Sequence, residues 1–274
     1  MRWLVVALAL LASACSTSPT GRSQFMIISP QAAIVQSQKA YADTVKQLES
    51  EDQLSADHRL ADRVQRITGR LVTSAQDHYP QSRTWDWSVA LIDDSETVNA
   101  WCMAGGRMAV YTGLFEQLKL TDDEFAQIMG HEIAHALANH TAEQMSRAVA
   151  MQIGLSAINA ASDGNSATTQ GAQLAAVLAL QLPNSRTAES EADTIGLELA
   201  TLAGFAPEAA VSLWQKMGNL NDKRPPEFLS THPDPATRLN ALRARASEVA
   251  GLNPKQNKAA IYPVTIVYQK DAPK

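Results

Sequence analysis

One five-residue segment, His131-Glu132-Ile133-Ala134-His135, has residue types and a spacing that could do chemistry. In an α-helix, residues four apart lie on one face, so both imidazoles can bind a single metal ion. Glu132 then lies one residue round from the first histidine, toward a metal-bound water whose proton it can accept. The segment therefore predicts one Zn²⁺ per chain, bound by His131 and His135, with Glu132 as the catalytic general base.

A catalytic zinc needs a third protein ligand and an open fourth position; without them the segment is only a helix with two surface histidines. His140 is the nearest further histidine. In the zincin class with an extended motif, the third histidine comes six residues after the second, where this chain has Thr141, and the glycine of that turn is replaced by Ala138. If the helix continues, His140 lies about 140° round from His135. We therefore predict that His140 is structural, or supports a ligand, and does not bind the metal.

A second motif follows about fifty residues later, in Ser185-Arg186-Thr187-Ala188-Glu189-Ser190-Glu191-Ala192-Asp193. Together the two motifs resemble the Ste24/HtpX-like zinc metallopeptidases, peptidase family M48, whose second motif is Ser-Arg-x-x-Glu-x-x-Ala-Asp. The resemblance extends over roughly residues 55 to 250 and implies that Glu189 is the third zinc ligand. It also implies an α+β, mainly α-helical, zincin-like fold with a small antiparallel sheet beside the histidine helix.

The residues after Glu189 agree with a helix that supplies a ligand. Asp193 lies four residues further on, on the same face, where its carboxylate can accept a hydrogen bond from a ligand histidine and set the tautomer of that ring. Glu191 lies about 200° round the helix from Glu189. We expect Glu191 to be solvated or paired with a basic neighbour.

A flanking segment before the histidine helix is also similar to the family. Asn99-Ala100-Trp101, followed by Gly105-Gly106, resembles the strand pair beside the family's active site. The edge of such a strand can bind an extended peptide through backbone hydrogen bonds. We therefore predict that Asn99, Ala100 and Trp101 bind substrate, although an ordinary hairpin would have the same sequence pattern.

A flanking segment after the second motif, Ser230-Thr231-His232-Pro233, matches the Thr-His-Pro motif of soluble family members. His232 is a candidate catalytic residue that donates to the developing oxyanion, or a ligand that fills the open zinc position and keeps the enzyme inactive. A histidine that is only hydrogen-bonded near the last helix fits the sequence equally well. Arg238 is expected to have a structural task, such as pairing with a carboxylate of the site.

Start signals and hydrophobic periodicity predict the helices that must position these motifs. Ser29 followed by Pro30 predicts one helix start, and Thr121 with Glu124 forms a capping box at the start of the histidine helix. Helical spacing of Leu60, Val64, Ile67 and Leu71 predicts another helix after Ser55. Later helices are predicted through Glu189 to near Gly204, from Pro207, and from Asp234-Pro235 to near Gly251.

Alternating and turn-bounded segments predict the strands. Residues 84–91 alternate polar and apolar side chains, which predicts a half-buried strand. Residues 97–103 and 107–111 predict a hairpin joined through Ala104-Gly105-Gly106. Residues 261–268 are a candidate edge strand.

The N-terminus is typical of an export signal. Arg2 precedes an apolar run, residues 4–12, that is too short to span a bilayer. Small residues ending at Cys15 resemble a bacterial lipobox, whose cysteine is acylated; an ordinary Ala-x-Ala cleavage site before Cys15 is the alternative. Ser16 resembles the residue that directs such lipoproteins to the outer membrane. We predict lipid attachment at Cys15, and a periplasmic protein anchored to the outer membrane.

The sequence divides into four predicted segments. We predict a signal peptide over residues 1–14, a tether over 15–29, a metallopeptidase domain over 30–254, and a tail or edge strand over 255–274. With 23 basic and 28 acidic residues and no run of like charge, the chain lacks the charge pattern of a protein that binds nucleic acid, so we predict no nucleic-acid partner.

The motifs together predict a zinc-dependent endopeptidase. The resemblance implies that its substrates are polypeptides, namely unfolded or misassembled proteins of the cell envelope. The alternative is a periplasmic chaperone or scaffold with a structural zinc, in which the Ala-rich helical stretches within residues 145–182 bind client proteins. That alternative gives Glu132 no reason to be present.

Overall fold

The computed structural model describes residues 15–161, 185–220, 227–232 and 235–269. Its strands are β1 (Cys15–Thr17), β2 (Ser23–Phe25), β3 (Ser88–Ile92), β4 (Ala100–Met103), β5 (Arg107–Tyr111) and β6 (Thr265–Val267). Its α-helices are α1 (Pro30–Ser50), α2 (His58–His78), α3 (Gly113–Leu118), α4 (Asp122–Leu137), α5 (His140–Ala161), α6 (Arg186–Leu202), α7 (Ala209–Asn219), α8 (Glu227–Thr231) and α9 (Pro235–Val249). Short 3₁₀ turns span Pro80–Thr84 and Ala250–Leu252. The α+β, mainly helical prediction is confirmed.

The larger sheet is mixed, with strand order β4-β5-β3-β6. Only β4 and β5 pair antiparallel, as the hairpin prediction expected, whereas β3 runs parallel to both β5 and β6. The expectation of a purely antiparallel sheet is therefore wrong. After β3 the chain passes to the far edge to form β4, and the Gly105-Gly106 turn then brings β5 back between the two, parallel to β3.

The central strand β3 is shorter and more buried than the alternation over residues 84–91 predicts. It begins at Ser88, and all five of its residues are buried. Val89 and Leu91 face the main core, while Ala90 and Ile92 pack in a second cluster with Tyr41 of α1. The half-buried prediction was wrong because α1 covers the second face of the sheet.

The histidine helix α4 begins and ends at signals in its own sequence. Its capping box forms as predicted: Thr121 Oγ1 accepts from Glu124 N at 3.2 Å, and Glu124 Oε2 accepts from Thr121 N at 2.8 Å. The helix ends at Leu137, and Asn139 takes the left-handed conformation with φ 57°. The helix therefore does not continue through His140, which begins α5 instead.

A contact between two glycines sets the distance between α4 and α6. A Cβ at Gly130 would lie 2.7 Å from the carbonyl oxygen of Gly196, and a Cβ at Gly196 would lie 2.7 Å from the backbone nitrogen of His131. Only residues without side chains allow the two backbones to approach so closely. The two motif helices are thereby held face to face in the core.

Both ends of the described chain pack onto this scaffold. Structure begins earlier than the expected order near Phe25, because β1 and β2 form a hairpin within the segment predicted as a tether. Gln24 of this hairpin donates to Ala138 O at 2.8 Å, at the end of α4. At the other end, β6 is the predicted edge strand.

The predicted Ala-rich stretches are only partly described. The first lies in α5, and the second falls within residues 162–184, outside the described residues. Among the helices that the structure does describe, none is long and apolar enough to cross a membrane.

Candidate metal centre

The two motif histidines face each other across one turn of α4. Their Nε2 atoms lie 3.0 Å apart, and both side chains are buried. A spacing of four residues produces this arrangement, since one helical turn is 3.6 residues. Each of the two rings therefore directs its Nε2 atom toward one common point.

Glu189 reaches that point from α6. Ser185 caps this helix by accepting from Ala188 N at 3.2 Å, so Glu189 lies in the first turn. Its Oε2 lies 3.4 Å from His131 Nε2, and its Oε1 lies 3.5 Å from His135 Nε2. The contact between Gly130 and Gly196 makes these distances possible, because it brings α6 against α4.

Asp193 and Arg238 support the site from behind. His131 Nδ1 lies 3.0 Å from Asp193 Oδ1. Arg238 pairs with Asp193 through Nε at 2.7 Å, donates to Glu189 Oε2 at 3.0 Å, and lies with its guanidinium 4.1 Å from the ring centre of Trp214. Burial alone would raise the pKa of Asp193. The bond to His131 and the charge of Arg238 outweigh burial and lower this pKa from 3.8 to about 2.

Glu132 lies on the β4 side of the site. Burial, with the nearby charge of Glu189, raises the pKa of its carboxyl group to about 8 even though His131 opposes this shift. Its Oε1 is buried with no hydrogen-bond partner among the described residues. A base with a raised pKa and a free oxygen is suited to accept a proton.

His232 closes the remaining side. Its Nδ1 lies 3.0 Å from Phe228 O, a carbonyl that can only accept, and 2.8 Å from Thr231 Oγ1, whose own proton is donated to Phe228 O. Nδ1 therefore carries the proton and Nε2 is left with its lone pair. Nε2 lies 3.4 Å from Glu132 Oε1, and the ring stacks on Phe228. Burial and the nearby His131 lower the pKa of His232 to about 4, which keeps the ring neutral.

These residues together fit a metal ion. One ligand atom each from His131, His135, Glu189 and His232 lie within 4.8 Å of one another. Glu189 Oε1 is buried and has no hydrogen-bond partner in the part of the chain that the structure describes, a costly arrangement that a cation would relieve. Burial lowers the pKa of His131, but bonds to Asp193 and Glu189 outweigh it and raise the pKa to about 9. The site thus favours positive charge beside Nε2.

A family model described as Peptidase family M48 matches residues 58–246, more than half of the chain. The chain belongs to peptidase family M48. The predicted family and its metallopeptidase class are thereby confirmed, and metal dependence follows from membership, although the family match does not identify the metal as zinc.

Named relatives of this M48 chain come from mitochondria and bacteria. Mitochondrial metalloendopeptidase OMA1 of Arabidopsis thaliana is 35% identical over 156 residues, which covers 57% of this chain and 31% of the relative. OMA1 of Saccharomyces cerevisiae is 28% identical over 235 residues, which cover 81% of this chain and 66% of the relative. The Beta-barrel assembly-enhancing protease of Yersinia pestis is 28% identical over 219 residues, which cover 75% of this chain and 43% of the relative. The chain spans about a third to two thirds of these relatives' lengths.

The sequence did not predict which residues lie behind His135 in this M48 chain. His140 is not among the four clustered side chains that could hold a metal, yet its Nδ1 lies 2.8 Å from His135 Nδ1 and its Nε2 lies 3.1 Å from Glu191 Oε2. Glu191 is therefore not solvated, but buried and paired with Arg22 at 2.8 Å. The helix end at Asn139 was the signal that could have indicated this turn, since Asn favours the left-handed position after a helix.

The three residues predicted to bind substrate lie in or next to an edge strand of the larger sheet. Ala100 and Trp101 are in β4, an edge of the larger sheet that packs against α4, and Asn99 immediately precedes it. Asn99 Oδ1 accepts from Ala100 N at 2.9 Å. Cys15, the predicted lipid attachment site, is the first residue of β1, apart from this cluster in sequence.

Proposed function

We propose that the chain is a zinc-dependent endopeptidase. The observation that carries the proposal is the convergence of His131, His135 and Glu189 on one point, with Glu132 beside it. Two histidines and one glutamate are a ligand set that catalytic zinc uses in peptidases. Neutral imidazoles and a carboxylate also suit zinc better than they suit the oxygen-seeking Mg²⁺ or Ca²⁺.

The reaction assigned to this site is hydrolysis of a peptide bond. Bound zinc supplies a Lewis acid that lowers the pKa of water and polarises a carbonyl group. Glu132 then takes the proton of the attacking water and passes it to the leaving amine. Its Oε1, buried with no hydrogen-bond partner among the described residues, is free to receive that proton.

We assign substrate binding to the outer edge of β4. Within the described sheet β4 pairs only with β5, so an extended polypeptide could bind along its other edge, where Ala100 N is already bonded to Asn99 Oδ1. Ala100 and Trp101 belong to this edge, and β4 packs on the helix that carries Glu132. Recognition through backbone bonds supports cleavage of unfolded chains with little sequence selectivity.

The proposed substrates are unfolded or misassembled proteins of a bacterial envelope. Relatives named Beta-barrel assembly-enhancing protease support this class. The lipobox-like sequence at Cys15 supports a periplasmic enzyme anchored by lipid to the outer membrane. Mass spectrometry of the mature N-terminus tests the anchor: an acylated Cys15 is expected, and an unmodified one would contradict it.

We assign His232 to the fourth metal position in a resting state. Its Nε2 lone pair belongs to the same group of atoms as the three ligands. Replacement of His232 by Ala should then increase cleavage of an unfolded substrate. A loss of cleavage with unchanged zinc content would favour the alternative role, donation to the oxyanion.

The decisive variant for the reaction is Glu132→Gln. It should bind one zinc per chain, as the wild type does, and fail to cleave unfolded β-casein, because the amide cannot accept the proton of water. Glu116→Gln changes an exposed glutamate of α3 and serves as the matched control. Undiminished proteolysis by Glu132→Gln would contradict the assignment of Glu132 as the general base. Rescue of a deletion strain by that variant would favour the chaperone alternative.

A further inference from the structure

We infer that His140 is a positioning residue for the metal ligand His135, and that Glu191 and Arg22 hold it in place. The inference rests on the proposed metal site, and it adds the N-terminal hairpin to that site. The ring of His140 is buried between its two partners, with Nδ1 2.8 Å from His135 Nδ1 and Nε2 3.1 Å from Glu191 Oε2.

The protons on this chain of three groups follow from the acceptor at its end. The carboxylate of Glu191 can only accept, so His140 Nε2 donates to it. In the neutral ring His140 Nδ1 then carries a lone pair, and it accepts from His135 Nδ1–H. His135 Nε2 is left with its lone pair directed toward Glu189. His140 thus does for His135 what Asp193 does for His131.

The hairpin of β1 and β2 sets the position of Glu191. Thr20 and Arg22 both donate to its carboxylate, Arg22 through Nε at 2.8 Å. The other end of the Arg22 guanidinium makes two bonds to Glu143, at 3.0 and 2.7 Å. These bonds hold the carboxylate of Glu191 against His140. They come from a part of the chain more than a hundred residues before His140 and Glu191.

The competing explanation is an ion cluster that only stabilises the fold. Buried charged groups of this kind commonly do no more than that. The two explanations differ in what a variant changes: a stabilising cluster moves the melting temperature alone, whereas a positioning residue also changes metal affinity. Hydrogen-bond partners of metal-bound histidines typically contribute about tenfold to a hundredfold to affinity.

The experiment measures Zn²⁺ affinity by competition with a chromophoric chelator, the visible spectrum of the Co²⁺ form, and the melting temperature of the metal-free protein. His140→Phe keeps a ring but removes both nitrogens, and should weaken Zn²⁺ binding about tenfold to a hundredfold. His140→Asn places an amide oxygen near the position of Nδ1, and should restore most of this loss and the Co²⁺ spectrum. The rescue also covers the case in which His140→Phe does not fold.

Arg22→Gln tests the hairpin and should weaken Zn²⁺ binding by up to about tenfold. Arg147→Gln is its matched control, because Arg147 pairs with Glu143 but has no bond to Glu191. Unchanged affinity in His140→Phe and Arg22→Gln, or equal losses in Arg22→Gln and Arg147→Gln, would overturn the inference. His135→Ala separates the two proposals: if it binds Zn²⁺ normally, the metal site itself is wrong.

Discussion

His131 Nδ1 lies 3.0 Å from Asp193 Oδ1, so the carboxylate behind the ring determines which nitrogen faces the metal position. A carboxylate accepts but cannot donate, and Nδ1 must therefore carry the proton. In the neutral ring, the form that binds a metal, the lone pair of Nε2 is then directed toward Glu189 and His135. One contact between α4 and α6 thus connects the two sequence motifs and prepares the first ligand.

Replacement of Asp193 by Asn should weaken Zn²⁺ binding by about tenfold to a hundredfold. The amide keeps the size of the side chain but can donate to Nδ1 and so favour the wrong tautomer of His131. Metal competition measures the loss. Glu198→Gln, a partly exposed change on the same helix, should leave the affinity unchanged; equal effects of both variants would contradict the role of Asp193.

Arg238→Met should lower the free energy of unfolding of the metal-free protein by about 3 kcal/mol, since it leaves Glu189 and Asp193 buried without their cation. Urea denaturation in the presence of a chelator measures the change. Arg243→Met removes an exposed arginine of the same helix whose side chain, among the described residues, bonds only to Asn240, and should have little effect. A stable Arg238→Met variant would show that the paired charges are not needed for folding.

Gly196→Ala should destabilise the protein by about 1–3 kcal/mol and weaken metal binding. The new methyl group would lie 2.7 Å from the backbone nitrogen of His131 and push the motif helices apart. Gly218→Ala is the matched helical control, because its methyl group meets nothing within 4 Å; there alanine should stabilise by about 0.4–1 kcal/mol. Equal stability of the two variants would disprove the close approach.

Glu191 should make stability depend on acid pH. Burial opposes its ionisation, but bonds from the hairpin and His140 lower its pKa from 4.5 to about 2. A carboxyl group with a lowered folded pKa stabilises the fold above its unfolded pKa, and this stabilisation is lost as pH falls toward 2. The stability difference between wild type and Glu191→Gln should therefore shrink between pH 4.5 and 2. A constant difference in thermal melts over that range would contradict the pairing.

The site could be predicted from sequence where local geometry decides it. Helical spacing alone brings His131, Glu132 and His135 together, because it needs only one turn of one helix. Glu189 lies more than fifty residues further on, and periodicity could not bring it to the same point; the family resemblance supplied it. The contact between Gly130 and Gly196 that makes the site possible has no signature in either helix alone.

The features that the sequence predicted wrongly or left open depend on pairings between residues distant in sequence. Whether β3 pairs parallel with β5 depends on where the intervening β4 is placed, and no residue of β3 encodes that choice. The burial of Ala90 and Ile92 depends on α1, which covers their face of the sheet. The pairing of Glu191 depends on Arg22, in a segment whose composition indicated only a tether.

The most direct test of the central claim is a crystal structure of the zinc-bound protein with anomalous scattering measured at the zinc edge. We expect one strong peak per chain, about 2.0–2.2 Å from Nε2 of His131, Nε2 of His135 and a carboxylate oxygen of Glu189. A peak at any other group of residues, or one bound without Glu189, would contradict it.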